Sequence, residues 1–242
     1  MEPGIIEVWY AKLELVADAE AIERCRARLS TDDLARIGRP ASDTDRHDRL
    51  VAWSLARVTL SRHADVAPEA WRFRETEHGR PEIAGPAGAP TLRFNLSHTT
   101  GLAACAVTLT DDLGLDVEDL RRRTDLEKLA RRFFARSETA SLERLNDEHR
   151  RRAFFEYWTL KEAYLKARGA GISLPLAEVA FNVAPDGGTA VSFGPAIGDD
   201  PAAWQFAHLR VTPDHLGAIA VKRPAASPVR IVLRQAIPGV HL

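Results

Sequence analysis

The stretch that decides the fold is Phe154-Phe155-Glu156-Tyr157-Trp158-Thr159-Leu160-Lys161-Glu162-Ala163-Tyr164-Leu165-Lys166-Ala167-Arg168-Gly169. Phe154, Phe155, Trp158, Ala163 and Leu165 recur at helical spacing, and Gly169 and Gly171 supply the stop. Glu162 and Lys166 lie one turn apart and share a face, with Trp158 one turn behind Glu162. Well upstream, Asp116-Val117-Glu118 sits among the apolar residues Leu113, Leu115 and Val117, which reads as a strand. Strand alternation points Asp116 and Glu118 to one side. If that strand lies beside that helix, three carboxylates and two ammonium groups converge. Such an array suits a divalent metal bridging phosphate oxygens, with lysines neutralising the remaining charge.

Each piece also has an ordinary reading. Charges two apart on a strand usually mark a solvated face, and a helical i,i+4 Glu/Lys pair is usually a surface ion pair worth about 0.3–0.5 kcal/mol. Lysine usage weighs the other way. Of 33 Lys and Arg residues the lysines are only Lys12, Lys128, Lys161, Lys166 and Lys222. A chain that otherwise uses arginine places two of its lysines in this one helix.

Composition sets the bounds. A chain of 242 residues with 45% hydrophobic and 28% charged residues is ordinary globular material, able to bury a sizeable core. A formal net charge of −1 argues against bulk electrostatic binding to nucleic acid or to an anionic membrane. No apolar run has the length of a membrane span, and Met1-Glu2-Pro3-Gly4 lacks the features of a signal peptide, so a cytoplasmic protein is expected. Cys25 and Cys105 are too few and too far apart for a disulfide scaffold or a zinc site. No His-x3-His, Cys-x2-Cys or glycine-rich P-loop spacing occurs.

The chain also repeats itself. Trp53-Ser-Leu-Ala-Arg-Val-Thr-Leu60 resembles Trp158-Thr-Leu-Lys-Glu-Ala-Tyr-Leu165, and Gly101-Leu-Ala-Ala-Cys-Ala-Val107 resembles Leu216-Gly-Ala-Ile-Ala-Val221. Each half offers a long helix, a variable connection and a small-residue apolar strand, so the expected class is α+β with two similar subdomains about a pseudo-two-fold axis. The predicted subdomains are 1–110 and 111–242. Patterning predicts strands over 5–15, 92–96, 103–109, 113–118, 178–183, 190–193, 204–211 and 218–222. It predicts helices over 19–29, from Ser30 onward, 43–63, 126–134, from an N-cap at Ser137 through Leu145, and 150–168. Residues 80–90, rich in Gly and Pro, read as loop. The tail after Pro224 reads as irregular, with room for a short edge strand at Ile231-Val-Leu-Arg234.

At this point the residues carry a resemblance. Asp116-Val-Glu118 together with Trp158-Thr-Leu-Lys161-Glu162-Ala-Tyr-Leu-Lys166 resembles the 4′-phosphopantetheinyl transferases of the long, surfactin-synthetase-activating type. Trp before Lys-Glu-Ala resembles the branch associated with carrier proteins of secondary metabolism. Glu77-His-Gly-Arg80-Pro81, Phe94-Asn95-Leu96-Ser97-His98 and Gly169-Ala-Gly171-Ile-Ser-Leu-Pro175-Leu resemble further family segments, in the family's order.

The resemblance implies two similar subdomains with the active site in the cleft between them; because the duplication lets the chain's own halves supply both sides of that cleft, a monomer is expected. It implies transfer of the phosphopantetheine arm from coenzyme A to a serine of an apo acyl or peptidyl carrier protein, releasing 3′,5′-ADP. Asp116, Glu118 and Glu162 are the implied magnesium ligands, with water where Val117 offers no oxygen. Lys161 and Lys166 are implied at the pyrophosphate, and Glu162 takes the serine proton directly or through a metal-bound water. Arg80, Ser97 and His98 are implied phosphate contacts, as are Arg36 and one of Arg46 or Arg49. Asp33 stands where a basic residue belongs in that set. The segments 126–134 and 137–145 are candidates for carrier docking. Two other classes compete. A magnesium-dependent phosphodiesterase would use the same carboxylates with water as nucleophile, and a non-catalytic carrier-binding module would not need Asp116, Glu118, Glu162, Lys161 and Lys166 all present.

Overall fold

A computed structural model describes residues 1–38, 42–169, 171, 174–184 and 187–236, apart from the side chain of Glu148. The chain is α+β and forms two compact units. One is Met1–Asp111 joined by the chain from Val229 onward, and the other is Asp112–Pro228.

The first unit runs β1 (Ile5–Lys12), α1 (Ala19–Ala27), α2 (Thr31–Ile37), α3 (Asp43–Ser61), β2 (Arg72–Glu75), β3 (Pro81–Gly85), β4 (Arg93–Thr99) and β5 (Leu102–Thr108). The second runs β6 (Leu113–Asp119), α4 (Leu126–Phe133), α5 (Arg136–Glu143), α6 (Asp147–Arg168), β7 (Val179–Val183), β8 (Thr189–Phe193), β9 (Trp204–Arg210) and β10 (His215–Lys222), and β11 (Arg230–Gln235) follows. The order is the same in both: a strand, two short helices, a long helix, a small hairpin and a second hairpin. Pairing repeats as well. β1 and β4 flank β5 antiparallel, and β6 and β9 flank β10 antiparallel. The long helix packs on this three-strand layer in each unit, α3 on β5, β4 and β1, and α6 on β6, β10 and β9. Trp53 and Trp158, matched in the sequence repeat, lie in these two helices. The duplication legible in sequence is therefore present as topology.

Each unit has its own core. In the first, Leu55, Ala56 and Leu60 of α3 meet Trp9, Trp71, Ala103, Cys105 and Val107. In the second, Phe154, Phe155, Leu160 and Tyr164 of α6 meet Phe134, Phe181, Trp204 and Leu216. Burying an aromatic or large aliphatic side chain contributes about 1.5–3 kcal/mol, so the apolar face of the long helix is a substantial part of what holds each core. Both cysteines are free and buried, and burial pushes the Cys105 thiol well up.

Three expectations need correction. Residues 80–90 are not all loop: β3 pairs antiparallel with β2 around the Glu77-His78-Gly79 turn, with Pro81 at the first strand position, where its missing N–H is tolerated. The tail carries the edge strand for which Ile231-Val-Leu-Arg234 left room: β11 lies parallel to β1 from Ile5↔Arg230 to Tyr10↔Gln235. That pairing puts the strand with the first unit and not with the second half that 111–242 defined; Pro238 lies outside the described residues. Ser137 is not an N-cap. The Ala135 N–H donates to Glu138 Oε2 at 2.7 Å, and this carboxylate cap starts α5 at Arg136. Elsewhere the predicted elements stand with ends shifted by a few residues, as end fraying leads one to expect.

Candidate active site

α6 starts where Asn146 accepts the His149 N–H at 3.0 Å, and it ends at Gly169, whose φ of 62° places it in the left-handed region. Residues 170, 172 and 173 of the glycine-rich exit lie outside the described residues. Beneath α6 runs β6, and Gly114 sets how close they come. A Cβ at Gly114 would run into the backbone of Ala163 and Ala167. Gly114, Asp116 and Glu118 are two apart and share a face, so the surface that touches α6 also carries both carboxylates.

α6 answers them with one stripe: Trp158, Glu162 and Lys166, each one turn from the next. Lys166 Nζ donates to Asp116 Oδ1 at 2.7 Å and to the Leu115 carbonyl at 3.0 Å. Trp158 Nε1 donates to Glu118 Oε1 at 3.0 Å. Arg122, in the turn after β6, donates to the same oxygen at 2.6 Å. Asp116 and Glu118 are each only 6% exposed, so the solvated-face reading fails.

Clustered carboxylates out of water raise one another's pKa. Burial, and then the Asp116 charge, push Glu118 up against the opposing pull of Arg122 and Trp158. Glu162 goes further, to about 7, through burial and the negative charge of Asp116, with Lys166 pulling the other way. Asp116, Glu118, Glu162 and Lys166 thus come together.

Lys161 does not join them. One residue from Glu162 is a rotation of about 100° around the helix, and Lys161 is 0% exposed in the core of the second unit. Its ammonium lies 2.8 Å from Glu138 Oε2 and donates to the Leu176 and Val179 carbonyls. Burial pushes Lys161 down while Glu138 opposes the shift, and burial pushes Glu138 up while Lys161 opposes it. Glu138 also accepts the Ala135 and Phe181 N–H groups. A cation with these partners holds α5, α6 and β7 together and is not available to a pyrophosphate. The expected catalytic and phosphate role of Lys161 is corrected to a structural one.

The candidates of the first unit are placed individually. Arg36 Nε lies 3.2 Å from Glu75, and its guanidinium sits over the Trp53 ring. Arg46 pairs with Asp43, and Arg49 is exposed on α3. Asp33, the residue of unexpected sign, is buried. It completes the Ser30 capping box and pairs with the buried Arg57. Arg80 ends the β2–β3 turn and lines a cleft of about 290 Å³ with Arg74, Arg93 and Glu82. On β4, Ser97 is buried opposite Ala104 and His98 is exposed opposite Ala103.

Sequence reasoning missed Arg122 and Glu138. The run Arg121-Arg122-Arg123 directly after the acidic pair was a readable signal for the first. Nothing local marks Glu138, because its partner is a lysine on another helix.

Three carboxylates that repel one another in a buried setting are the hard-oxygen donor set a magnesium ion takes. Among the described residues no three His, Cys, Asp or Glu side chains are placed to cage a metal by themselves. Magnesium does not demand that, since it usually keeps waters and takes one or two carboxylates together with substrate phosphates. The donor chemistry fits.

Fold and cluster together describe a buried acidic site with a lysine beside it, built on the second of two repeated α+β units. The model of the 4′-phosphopantetheinyl transferase superfamily matches residues 112–220, the unit that holds the cluster. The 4′-phosphopantetheinyl transferase HetI of Nostoc sp. is 35% identical over 215 residues, covering 89% of this chain and 87% of that protein. The 4′-phosphopantetheinyl transferase Sfp of Bacillus subtilis is 29% identical over 168 residues, 69% of this chain and 72% of that protein. Among solved structures, the holo-[acyl-carrier-protein] synthase of Thermotoga maritima aligns with 48% of this chain and 65% of its own, at 22% identity and a TM-score of 0.38. The chain belongs to the 4′-phosphopantetheinyl transferase superfamily, as its motifs implied, and it is an enzyme of that transferase class.

Proposed function

We propose that this chain transfers the 4′-phosphopantetheine arm of coenzyme A, with magnesium, to a serine of an apo carrier protein of polyketide or nonribosomal peptide synthesis, releasing 3′,5′-ADP. The observation that carries the reading is the meeting of Asp116, Glu118 and Glu162 with Lys166 on facing surfaces of β6 and α6. Asp116, Glu118 and Glu162 would hold the magnesium ion, which supplies charge neutralisation at the pyrophosphate when bound.

The chain's own groups have separable tasks. Lys166, fixed by Asp116 and the Leu115 carbonyl, places an ammonium where charge grows on the leaving phosphate oxygen. Glu162, on the α6 stripe beside Lys166, is the carboxylate that takes the serine proton, directly or through a water. The serine oxygen attacks the β-phosphorus, the bond from that phosphorus to the bridging oxygen breaks, and 3′,5′-ADP leaves. Arg36, Arg49, Arg80, Ser97 and His98 are proposed contacts for the phosphates of coenzyme A. Of these Arg49 and His98 are exposed, and Arg80 opens onto a concave, arginine-lined surface. A second concavity of about 360 Å³ between α4, α5 and α6, lined by Leu126, Ala130, Leu142 and Phe154, is the proposed seat for an apolar carrier surface. Among the described residues no helix is long and apolar enough to cross a membrane. A monomer is proposed, to be read by sedimentation.

The test is mass spectrometry of apo carrier proteins incubated with the chain, coenzyme A and magnesium. The phosphopantetheine mass gain is expected on the carrier serine. Release of 3′,5′-ADP at full rate without any carrier would instead make the chain a hydrolase.

A further inference from the structure

Asp116 and Glu118 are each held by a cation of the chain's own, and the two cations differ. Lys166 is tied from two directions, by Asp116 and by the Leu115 carbonyl. Arg122 stands on the turn after β6, where its N–H donates to the Asp119 carbonyl at 3.0 Å. Its side chain is 45% exposed and reaches in to Glu118 Oε1 at 2.6 Å. The same oxygen takes the Trp158 indole N–H. Trp158 is packed against Phe133 and Phe154, with ring centroids 5.7 and 6.1 Å away. Glu118 is thus oriented by a packed aromatic donor and neutralised by a guanidinium on a solvent-facing arm. The neighbouring arginine has other work, since Arg121 is bound to Asp119 and Asp214.

We propose that Arg122 is a displaceable counter-ion: it holds Glu118 while the acidic cluster lacks a divalent cation and releases that carboxylate when the cation enters, with Trp158 keeping Glu118 oriented. This rests on the reading of Asp116, Glu118 and Glu162 as metal-holding residues. Asp116, Glu118 and Glu162 face Lys166 and Arg122 in a weakly screening surrounding. A divalent ion meeting Glu118 meets the guanidinium as well, and two cations on one carboxylate repel. Arg122 can leave with little loss, because nearly half of its side chain is already in water and a half-exposed ion pair contributes little. The same contacts explain why the carboxylates are not gathered into a cage: Arg122 and Lys166 each draw one of them to itself.

The test is direct binding of Mn²⁺, used as the probe, to the full chain without coenzyme A, by calorimetry and by the paramagnetic signal of free Mn²⁺. Arg122→Gln is expected to bind Mn²⁺ about 3- to 5-fold more tightly than the unaltered chain, the upper end of what a half-exposed ion pair contributes. Arg122→Lys should stay within about twofold, and so should Arg123→Gln, which removes an exposed charge from the same run. Glu118→Gln should bind at least about tenfold more weakly, as loss of an outer partner or ligand does at metal sites. A merely structural Arg122 would give unchanged or weaker binding in Arg122→Gln. That result, alongside weakened Glu118→Gln, overturns the counter-ion inference and leaves the metal reading standing. Equal binding by Glu118→Gln and the unaltered chain, or no binding by any of them, overturns the metal reading itself.

Discussion

Gly114 shows how much can hang on a missing methyl group. Its α-carbon faces the α6 backbone at Ala163 and Ala167, and no side-chain rotamer can relieve the contact that a Cβ would make there. Gly114→Ala is expected to force α6 away from β6, lowering stability by ~3 kcal/mol as overpacking does. It should also separate Asp116 from Lys166 and Glu118 from Trp158. Chemical denaturation and transferase assay should therefore fall together, whereas normal activity in a destabilised variant would contradict the geometry. Glu162→Gln makes the opposite kind of change. The side chain keeps its size at the edge of the cluster, so melting should shift little. Transfer should drop by at least about 10²-fold, the scale of a lost general base or strong electrostatic contact. Near-normal turnover in that variant removes Glu162 from the chemistry.

At the scale of elements, α6 faces two ways and uses its charges differently on each side. Towards β6 it presents Trp158, Glu162 and Lys166. Towards α5 and β7 it buries Lys161 against Glu138. Breaking a buried ion pair by removing one partner leaves the other uncompensated, at about 3–5 kcal/mol. Lys161→Met should lose that much stability. Adding Glu138→Gln should recover part of it, since an amide oxygen can still accept from Ala135 or Phe181. The turnover of whatever stays folded should fall far less than in Glu162→Gln. A selective collapse of kcat in well-folded Lys161→Met would return Lys161 to the chemistry.

Another contact of α6 sets a pH dependence. Burial acts to raise Asp199, but hydrogen bonds from Tyr164 and then Arg168 outweigh it and hold the carboxyl below its usual range. A depressed carboxylate stabilises the fold above its unfolded pKa of about 3.9. That contribution fades as pH falls through the lower folded value. Asp199→Asn should be less stable than the unaltered chain at pH 7, with the difference narrowing progressively below about pH 4. A gap of constant size in acid would mean Asp199 is not ionised in the fold.

On the scale of the whole molecule the chain is one plan used twice, closed by one added strand. β11 covers the outer edge of β1 in the first unit, and Ala236 beyond it is buried in that unit's core. Ending the chain after Pro228 leaves a sheet edge unpaired. Hydrogen exchange should quicken in β1, with thermal stability of the first unit falling, while the amides of β6, β10 and α6 keep their protection. Uniform loss of protection in both units would show that the two fold as a single cooperative block.

Helices and acid pairs are local matters, and sequence alone determined them. The spacing of Phe154, Trp158 and Leu165, the glycines after Arg168 and the alternation around Asp116 and Glu118 depend on residues near in the chain, as does the Trp53/Trp158 repeat. They sufficed for the α+β class, for the facing carboxylates and for the family. Tertiary structure decided the rest, because it depended on partners far away in sequence. Lys161 and Lys166 look alike in the helix, yet Glu138 draws one into the core and Asp116 draws the other to the site. Asp33 breaks the expected basic pattern since Arg57, buried beside it, needs a counter-charge. Gly114 reads as a weak spot in a strand until α6 lies across it. The edge strand for which Ile231-Val-Leu-Arg234 left room finds its partner only in β1, and whether an exposed arginine touches Glu118 is settled only when the turn after β6 folds back.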